Sequence, residues 1–142
     1  MLTQLRDAVS ADAQAIAVLL EQLGYPTDAS QVVDRLRRLR AWPEARVVVA
    51  CRKEVVVGMM QLQRVPGLAE PDYLEVRSLV VEQRARGEGV GAMLLAEARR
   101  AVSEAGQLRI RCNVIRTDAH RFYQREGLRV LKSQTLFGWG AR

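Results

Sequence analysis

Aromatic residues are scarce in this chain, at 5% of 142 residues. A protein that stacks nucleic-acid bases has little to work with at that level. There is also no helix-turn-helix pattern and no basic strand with interleaved aromatics, so the net charge of +6 points elsewhere. Two cysteines, Cys51 and Cys112, lie far apart and lack metal-ligand spacing. Both sit in apolar runs, where buried free thiols are the expectation rather than a disulfide or a zinc site. No apolar run approaches the roughly 20 residues of a membrane span. The opening "MLTQLRDAVSADAQ" carries early charges and no apolar leader core. The reading is a soluble, cytoplasmic protein with no predicted metal and no membrane partner. An excess of basic charge still favours an anionic ligand, and a phosphate-bearing cofactor meets that need as well as nucleic acid does.

What is present is a single-domain length (1–142) with nearly half its residues apolar. "LTQLRDAV" reads as a first strand. Ser10 reads as a helix N-cap with Asp12 in the first turn, and Ala13, Ile16, Leu20 and Leu23 follow at helical spacing up to a stop at Gly24. Asp28 or Ser30 caps a second helix, with Val32, Leu36 and Leu39 inward and the four arginines of "DRLRRLR" outward. "ARVVVAC" and "VVVGMMQLQ" flank the polar turn "RKE" as a hairpin. "RVPGLAEPD" is a loop and "YLEVRSLVV" a long strand. A helix is expected from Val90 to Ala105, ended by Gly106. "LRIRCNV" reads as a strand, and Thr117 as the cap of a short helix over "DAHRFYQRE" that stops at Gly127. "LRVLKSQTLFGW" reads as one or two closing strands. The expected class is α/β, one mixed sheet in the order β-α-α-β-β-β-α-β-α-β.

The stretch "RARGEGVGAMLL" carries the chemistry. Gly87, Gly89 and Gly91 have no Cβ, so a ligand can approach their N–H groups closely. The first N–H groups of the following helix lack intrahelical partners, and its dipole adds partial positive charge there. A strand, a glycine turn and a helix start form a pyrophosphate site, with Arg84 and Arg86 adding charge. The spacing is wrong for a P-loop, which needs Lys-Ser/Thr after its last glycine. It is also wrong for the dinucleotide fingerprint, and the next strand ends in Asn113 rather than an acid. A ligand-free glycine turn is the plain alternative.

Arg84-x-x-Gly87-x-Gly89 resembles the Q/R-x-x-G-x-G/A signature of the Gcn5-related N-acetyltransferase (GNAT) superfamily. "SLVV" is similar to that family's fourth strand and "DAHRFYQREGL" to its A-x-x-F-Y-x-x-x-G-F segment. The element order matches too, and the likeness runs from about Arg46 to the end. It departs at Arg116, where many relatives carry Asn, at Gln83, where proline is frequent, and at Leu128, where the family has Phe.

The resemblance implies a GNAT-like fold: a central, mostly antiparallel mixed sheet with splayed fourth and fifth strands, flanked by about four helices. It implies acetyl-CoA as cosubstrate and direct transfer of acetyl to an amine. Cofactor contacts would come from Leu79, Val80, Val81, Arg84, Arg86, Gly87, Glu88, Gly89, Val90, Gly91, Asn113 and Arg116. Leu79 N–H would be the oxyanion donor and Val81 would pair with the pantetheine amides. Tyr123 falls at the general-acid position, against the alternative of a half-buried core aromatic. Glu75 falls where several relatives carry a catalytic carboxylate, against the alternative of a carboxylate paired with an arginine. Strand alternation puts Tyr73, Glu75, Arg77, Leu79 and Val81 on one face. His120 reads as a surface or cap residue.

A weaker likeness, over "EVRSLVVEQRARGEGVG…DAHRFYQREGL", is to the aminoalkylphosphonate acetyltransferases. It implies a small-molecule primary amine bearing an anionic group, a natural partner for arginine. A protein N-terminus or lysine as acceptor stays open, as does a non-catalytic acyl-CoA-binding regulatory module. A homodimer is compatible with the resemblance.

Overall fold

The computed structural model describes residues 2–102 and 106–141. Its contacts divide the chain into two compact units, Met1–Arg111 and Cys112–Arg142.

The first unit is built on a five-stranded sheet in the order β1-β2-β3-β4-β5. Strands β1 (Gln4–Asp7), β2 (Ala45–Arg52), β3 (Val55–Val65) and β4 (Tyr73–Val81) pair antiparallel, and β5 (Leu108–Ile110) pairs parallel to β4. The β2–β3 hairpin turns on Lys53 and Glu54, whose φ angles of 48° and 67° are those of a tight primed turn. Helices α1 (Ala13–Leu23) and α2 (Ala29–Arg40) cover one face, where Ile16, Leu19, Val32 and Leu36 pack with Val49, Met59 and Val80. Helix α3 (Val90–Ala101) covers the other, where Val90, Leu94 and Ala98 pack with Val48, Met60, Leu62 and Val76. Gly58 permits this: a Cβ there would stand 3.0 Å from Val90 Cγ1 and 3.3 Å from Leu94 Cδ1.

Several local expectations shift by a few residues. Ser10 does not cap α1; residues Ser10–Asp12 form a 3-10 turn, and the Asp12 carboxylate accepts the Val9 N–H at 2.8 Å instead. Asp28, not Ser30, caps α2 by accepting the Gln31 N–H. Helix α3 stops at Ala101, because Val102 turns extended at ψ 130°; the expected end at Ala105 lies outside the described residues. Strand β5 is three residues, far shorter than "LRIRCNV", since only Leu108–Ile110 find partners on β4.

The second unit contains α4 (Thr117–Arg125). Arg116 occupies the N-cap position and Thr117 is the first helical residue rather than the cap. Gly127, at φ 92°, ends the helix, and the Leu128 N–H returns to the Tyr123 carbonyl at 3.0 Å. The closing strands expected over "LRVLKSQTLFGW" do not form: residues 128–141 contain no strand among the described residues. An apolar, β-prone run becomes a strand only where a ladder partner meets it, and sequence pattern does not supply the partner.

Candidate active site

Strand β4 loses its neighbour on one side partway along. Leu74, Glu75 and Val76 pair with β5, and beyond Val76 there is no β5 partner among the described residues. The strands therefore part, and the β5-side edge of 77–81 carries no ladder. At the same point β4 bulges. Leu62 faces Val76 and Gln61 faces Ser78, so Arg77 has no opposite number on β3.

The bulge corrects the alternation. Leu74 and Val76 lie on the α3 face, and so do Leu79 and Val81, while Val80 lies on the α1/α2 face. The extra residue switches parity, so Glu75 shares its face with Val80 and not with Leu79 and Val81 as simple alternation predicts.

The open edge leads into the glycine turn. Glu82 N–H donates to the Val57 carbonyl at 2.8 Å, and the Glu82 carboxylate accepts the Arg84 N–H at 2.6 Å. From α1, Gln22 accepts the Gln83 N–H at 2.9 Å and donates to Glu82 at 3.4 Å. Ala85 is buried beneath. Gly87 and Gly89 follow at φ 81° and 87°, with no atom within 4 Å of where either Cβ would stand. Gly89 is the N-cap of α3, so the unpaired N–H groups of Val90 and Gly91 begin there. Side chains with positive φ are strained, and a Cβ would fill space left clear beside those donors. Such an arrangement of unpaired donors in open space can accept an anion, and the open-edged backbone of 79–81 leads directly into it.

The side chains around the turn have distinct roles. Val80 and Val90 are buried, so their backbones alone face a ligand. Arg84 is exposed. Arg86 folds back, its Nε donating to the Val81 carbonyl at 3.1 Å. Glu88 forms an ion pair with Arg52.

On the α1/α2 face, Glu75 is a buried carboxylate between two arginines. Its Oε1 lies 3.4 Å from Arg77 Nη1 and its Oε2 lies 2.8 Å from Arg111 Nε. The Arg111 N–H is not aimed at that oxygen, and Oε2 accepts no hydrogen bond among the described residues. Arg111 also donates to the Tyr73 hydroxyl at 3.3 Å, and Arg109 stacks 3.9 Å from the Tyr73 ring centroid while pairing with Glu70. The sequence offered Glu75 either as a base or as a carboxylate paired with an arginine; the pairing is present, and its two partners were not legible because one sits on a bulge and the other beyond the end of β5.

In the second unit, Tyr123 is half-buried, edge-on to Phe122 with centroids 5.3 Å apart. Burial, then the nearby Cys112, pushes its phenol above the usual value of 10.0. Asn113 closes its own turn: its side-chain oxygen accepts the Ile115 N–H at 3.1 Å and its carbonyl accepts the Arg116 N–H at 3.0 Å. The His120 Nε2 lies 3.0 Å from the same carbonyl, a structural placement for the ring. Among the described residues, no group of three or more His, Cys, Asp or Glu side chains is placed to hold a metal, and no helix is long and apolar enough to cross a membrane.

Comparison with known proteins agrees with this geometry. The model of the acetyltransferase (GNAT) family matches residues 11–128, across both units. The chain is 35% identical over 130 residues to an aminoalkylphosphonate N-acetyltransferase of Salmonella typhimurium, covering 87% of this chain and 83% of the relative. Among solved structures, a transcriptional regulator from Bacillus halodurans C-125 superposes with a TM-score of 0.85 at 21% identity, covering 97% of this chain and 100% of the other. AAC(6')-Iy in complex with the bisubstrate analogue CoA-S-monomethyl-acetylneamine superposes with a TM-score of 0.84 at 13% identity, covering 99% and 100%. The chain belongs to the GNAT family and is an N-acetyltransferase whose acetyl donor is acetyl-CoA.

Proposed function

We propose that this enzyme acetylates the primary amine of a small molecule that also bears an anionic group, by direct transfer. The observation that carries the reading is the unladdered edge of β4 running without a break into an uncluttered positive-φ glycine turn. The acceptor class is supported by the relative that acts on aminoalkylphosphonates.

The residues divide the work. The N–H groups of Gly87, Glu88, Gly89, Val90 and Gly91, with Arg84 and the positive end of α3, hold the pyrophosphate. The edge of Leu79–Val81 holds the amide arm, and the Leu79 N–H donates where negative charge develops. Bound acetyl-CoA supplies the acetyl group as an activated thioester. Tyr123, held protonated by its burial, gives its proton to the departing sulfur. Glu75, a buried carboxylate held by Arg77 and Arg111, takes the proton of the amine through water.

Direct attack also fits the two free thiols. Burial raises both Cys51 and Cys112 above their usual value, which keeps them as poorly nucleophilic thiols. Free cysteines further support a cytoplasmic location.

The test is calorimetric titration with acetyl-CoA, followed by steady-state assays on aminoalkylphosphonates, amino acids, polyamines, aminoglycosides and a peptide N-terminus. We expect acetyl-CoA to bind, Gly89→Asp to abolish that binding, and anionic amines to be the best acceptors. Retained affinity in Gly89→Asp would place the cofactor elsewhere, and a preference for peptides or polycations would overturn the acceptor class.

A further inference from the structure

Two acidic side chains stand in the segment that leads into and through the glycine turn, and a carboxylate free to face a pyrophosphate there would repel it. Glu88 is paired with Arg52. Glu82 is held by hydrogen bonds instead. One of its oxygens accepts the Arg84 N–H at 2.6 Å, and the other accepts from the Gln22 side-chain amide at 3.4 Å. The Gln22 amide oxygen accepts the next backbone donor, the Gln83 N–H, at 2.9 Å. A carboxamide carries a donor and an acceptor on one short fork, so a single side chain serves both groups.

Gln22 is itself fixed from behind. It lies in the last turn of α1, just before the Gly24 stop. Leu20 and Leu23 of the same turn pack on the cluster that contains Val80. Helix α1 covers the sheet face opposite α3. The Glu82 carboxylate is therefore drawn toward α1 and away from the N–H groups that open α3. The same contacts hold the 3-10 turn Gln83–Ala85, which sets the direction in which the chain enters Gly87 and Gly89.

We infer that Gln22 is a positioning residue for acetyl-CoA: it turns the Glu82 carboxylate off the bound anion and fixes the entry to the glycine turn. The inference rests on the proposed function, since it takes the pyrophosphate to lie on that turn. Gln22 acts through Glu82 and Gln83 rather than on the reacting atoms. Its contribution is therefore to cofactor affinity and not to the chemical step.

The experiment measures Kd for acetyl-CoA by calorimetry, and kcat at saturating acetyl-CoA with the best acceptor of the panel above. It compares the full-length enzyme with Gln22→Ala, with Gln22→Glu and with the swap that joins Gln22→Glu to Glu82→Gln. Gln22→Ala should raise Kd by about threefold. Gln22→Glu keeps an acceptor for the Gln83 N–H but sets a second carboxylate against Glu82, and should raise Kd by about tenfold or more. The swap returns one amide and one carboxylate to the pair with their places exchanged, and should recover most of the affinity. In all three, kcat should change by less than about twofold. Gln22 lies outside the core, so the variants are expected to fold, and thermal melting checks it; Gln22→Ala carries the test if the glutamate variant does not fold. Where Gly89→Asp abolishes binding, an unchanged Kd in the Gln22 variants, or no recovery in the swap, overturns this inference alone. So does a fall in kcat as large as the loss of affinity, which would make Gln22 a support of the fold. If Gly89→Asp binds acetyl-CoA normally, the cofactor lies elsewhere and the inference falls with that reading.

Discussion

The guanidinium of Arg52 pairs with the carboxylate of Glu88, tying the end of β2 to the middle of the glycine turn. Arg52 is largely buried and also donates to the Thr3 hydroxyl at 2.9 Å, so it is a fixed post rather than a loose surface charge. An acidic side chain beside a pyrophosphate site is repulsive unless something neutralises it. Arg52→Gln should therefore weaken acetyl-CoA binding by about three- to tenfold, which is on the order of 1 kcal/mol. Adding Glu88→Gln should restore most of it. Calorimetry on the two single variants and the double variant checks the sign of the coupling; a further loss in the double variant would mean that the pair only stiffens the turn.

Tyr123→Phe should lower kcat by about 10²- to 10⁴-fold, the usual range for a general acid, while acetyl-CoA affinity stays near wild type. Because burial raises the phenol above 10.0, its loss of a proton belongs beyond pH 10. The acid-dependent fall in rate should accordingly be absent from the neutral range and begin only in strong alkali. Unchanged turnover in the Phe variant would make Tyr123 a packing residue beside Phe122.

Asp12 links β1 to α1. It receives both Arg6 Nη atoms at 2.8 Å and the Val9 N–H, and the Arg6 hydrogen bonds hold its carboxyl below the usual carboxylate range. Its folded value is depressed, so its contribution is fully present above the unfolded value of about 4 and is lost as pH falls through the folded one. Asp12→Ala should destabilise the fold by about 1–3 kcal/mol at neutral pH, with the difference from wild type shrinking in acid. Urea melts at pH 7 and pH 3 measure both quantities.

At Gly58 the sheet lies close against α3, where an added Cβ would stand 3.0 Å from Val90 Cγ1. Gly58→Val would drive a side chain into Val90, Leu94 and the Val80 carbonyl. Overpacking of this kind costs about 1–3 kcal/mol, and since α3 opens at the glycine turn, acetyl-CoA affinity should fall with stability. Thermal melting with and without acetyl-CoA tests the link.

Much of the site was readable along the chain. Turn chemistry is local, so Gly24, Asp28, Gly89 and Gly127 end or cap their helices as residue type dictates. "YLEVRSLVV" became β4 residue for residue, and α3 opened at Val90, because a β-branched run followed by glycines leaves few alternatives. Helix ends without a marker were less legible: nothing in "RRAVSEAG" announces that the chain leaves α3 at Val102. The closing strands failed for a different reason, since a strand needs a partner that lies far away in sequence.

The glycine turn, the strand before it and the helix after it were set by neighbours within a dozen residues, where backbone sterics and unpaired N–H groups decide. The family follows from that local chemistry. The surroundings of Glu75 were set otherwise. A bulge opposite Gln61 and Leu62 moves Glu75 off the face of Leu79, and pairing with a three-residue β5 brings Arg111 to a carboxylate 36 positions earlier. Register and strand order are properties of the paired sheet, so the ion pairs around Glu75 appear only when β3, β4 and β5 lie side by side.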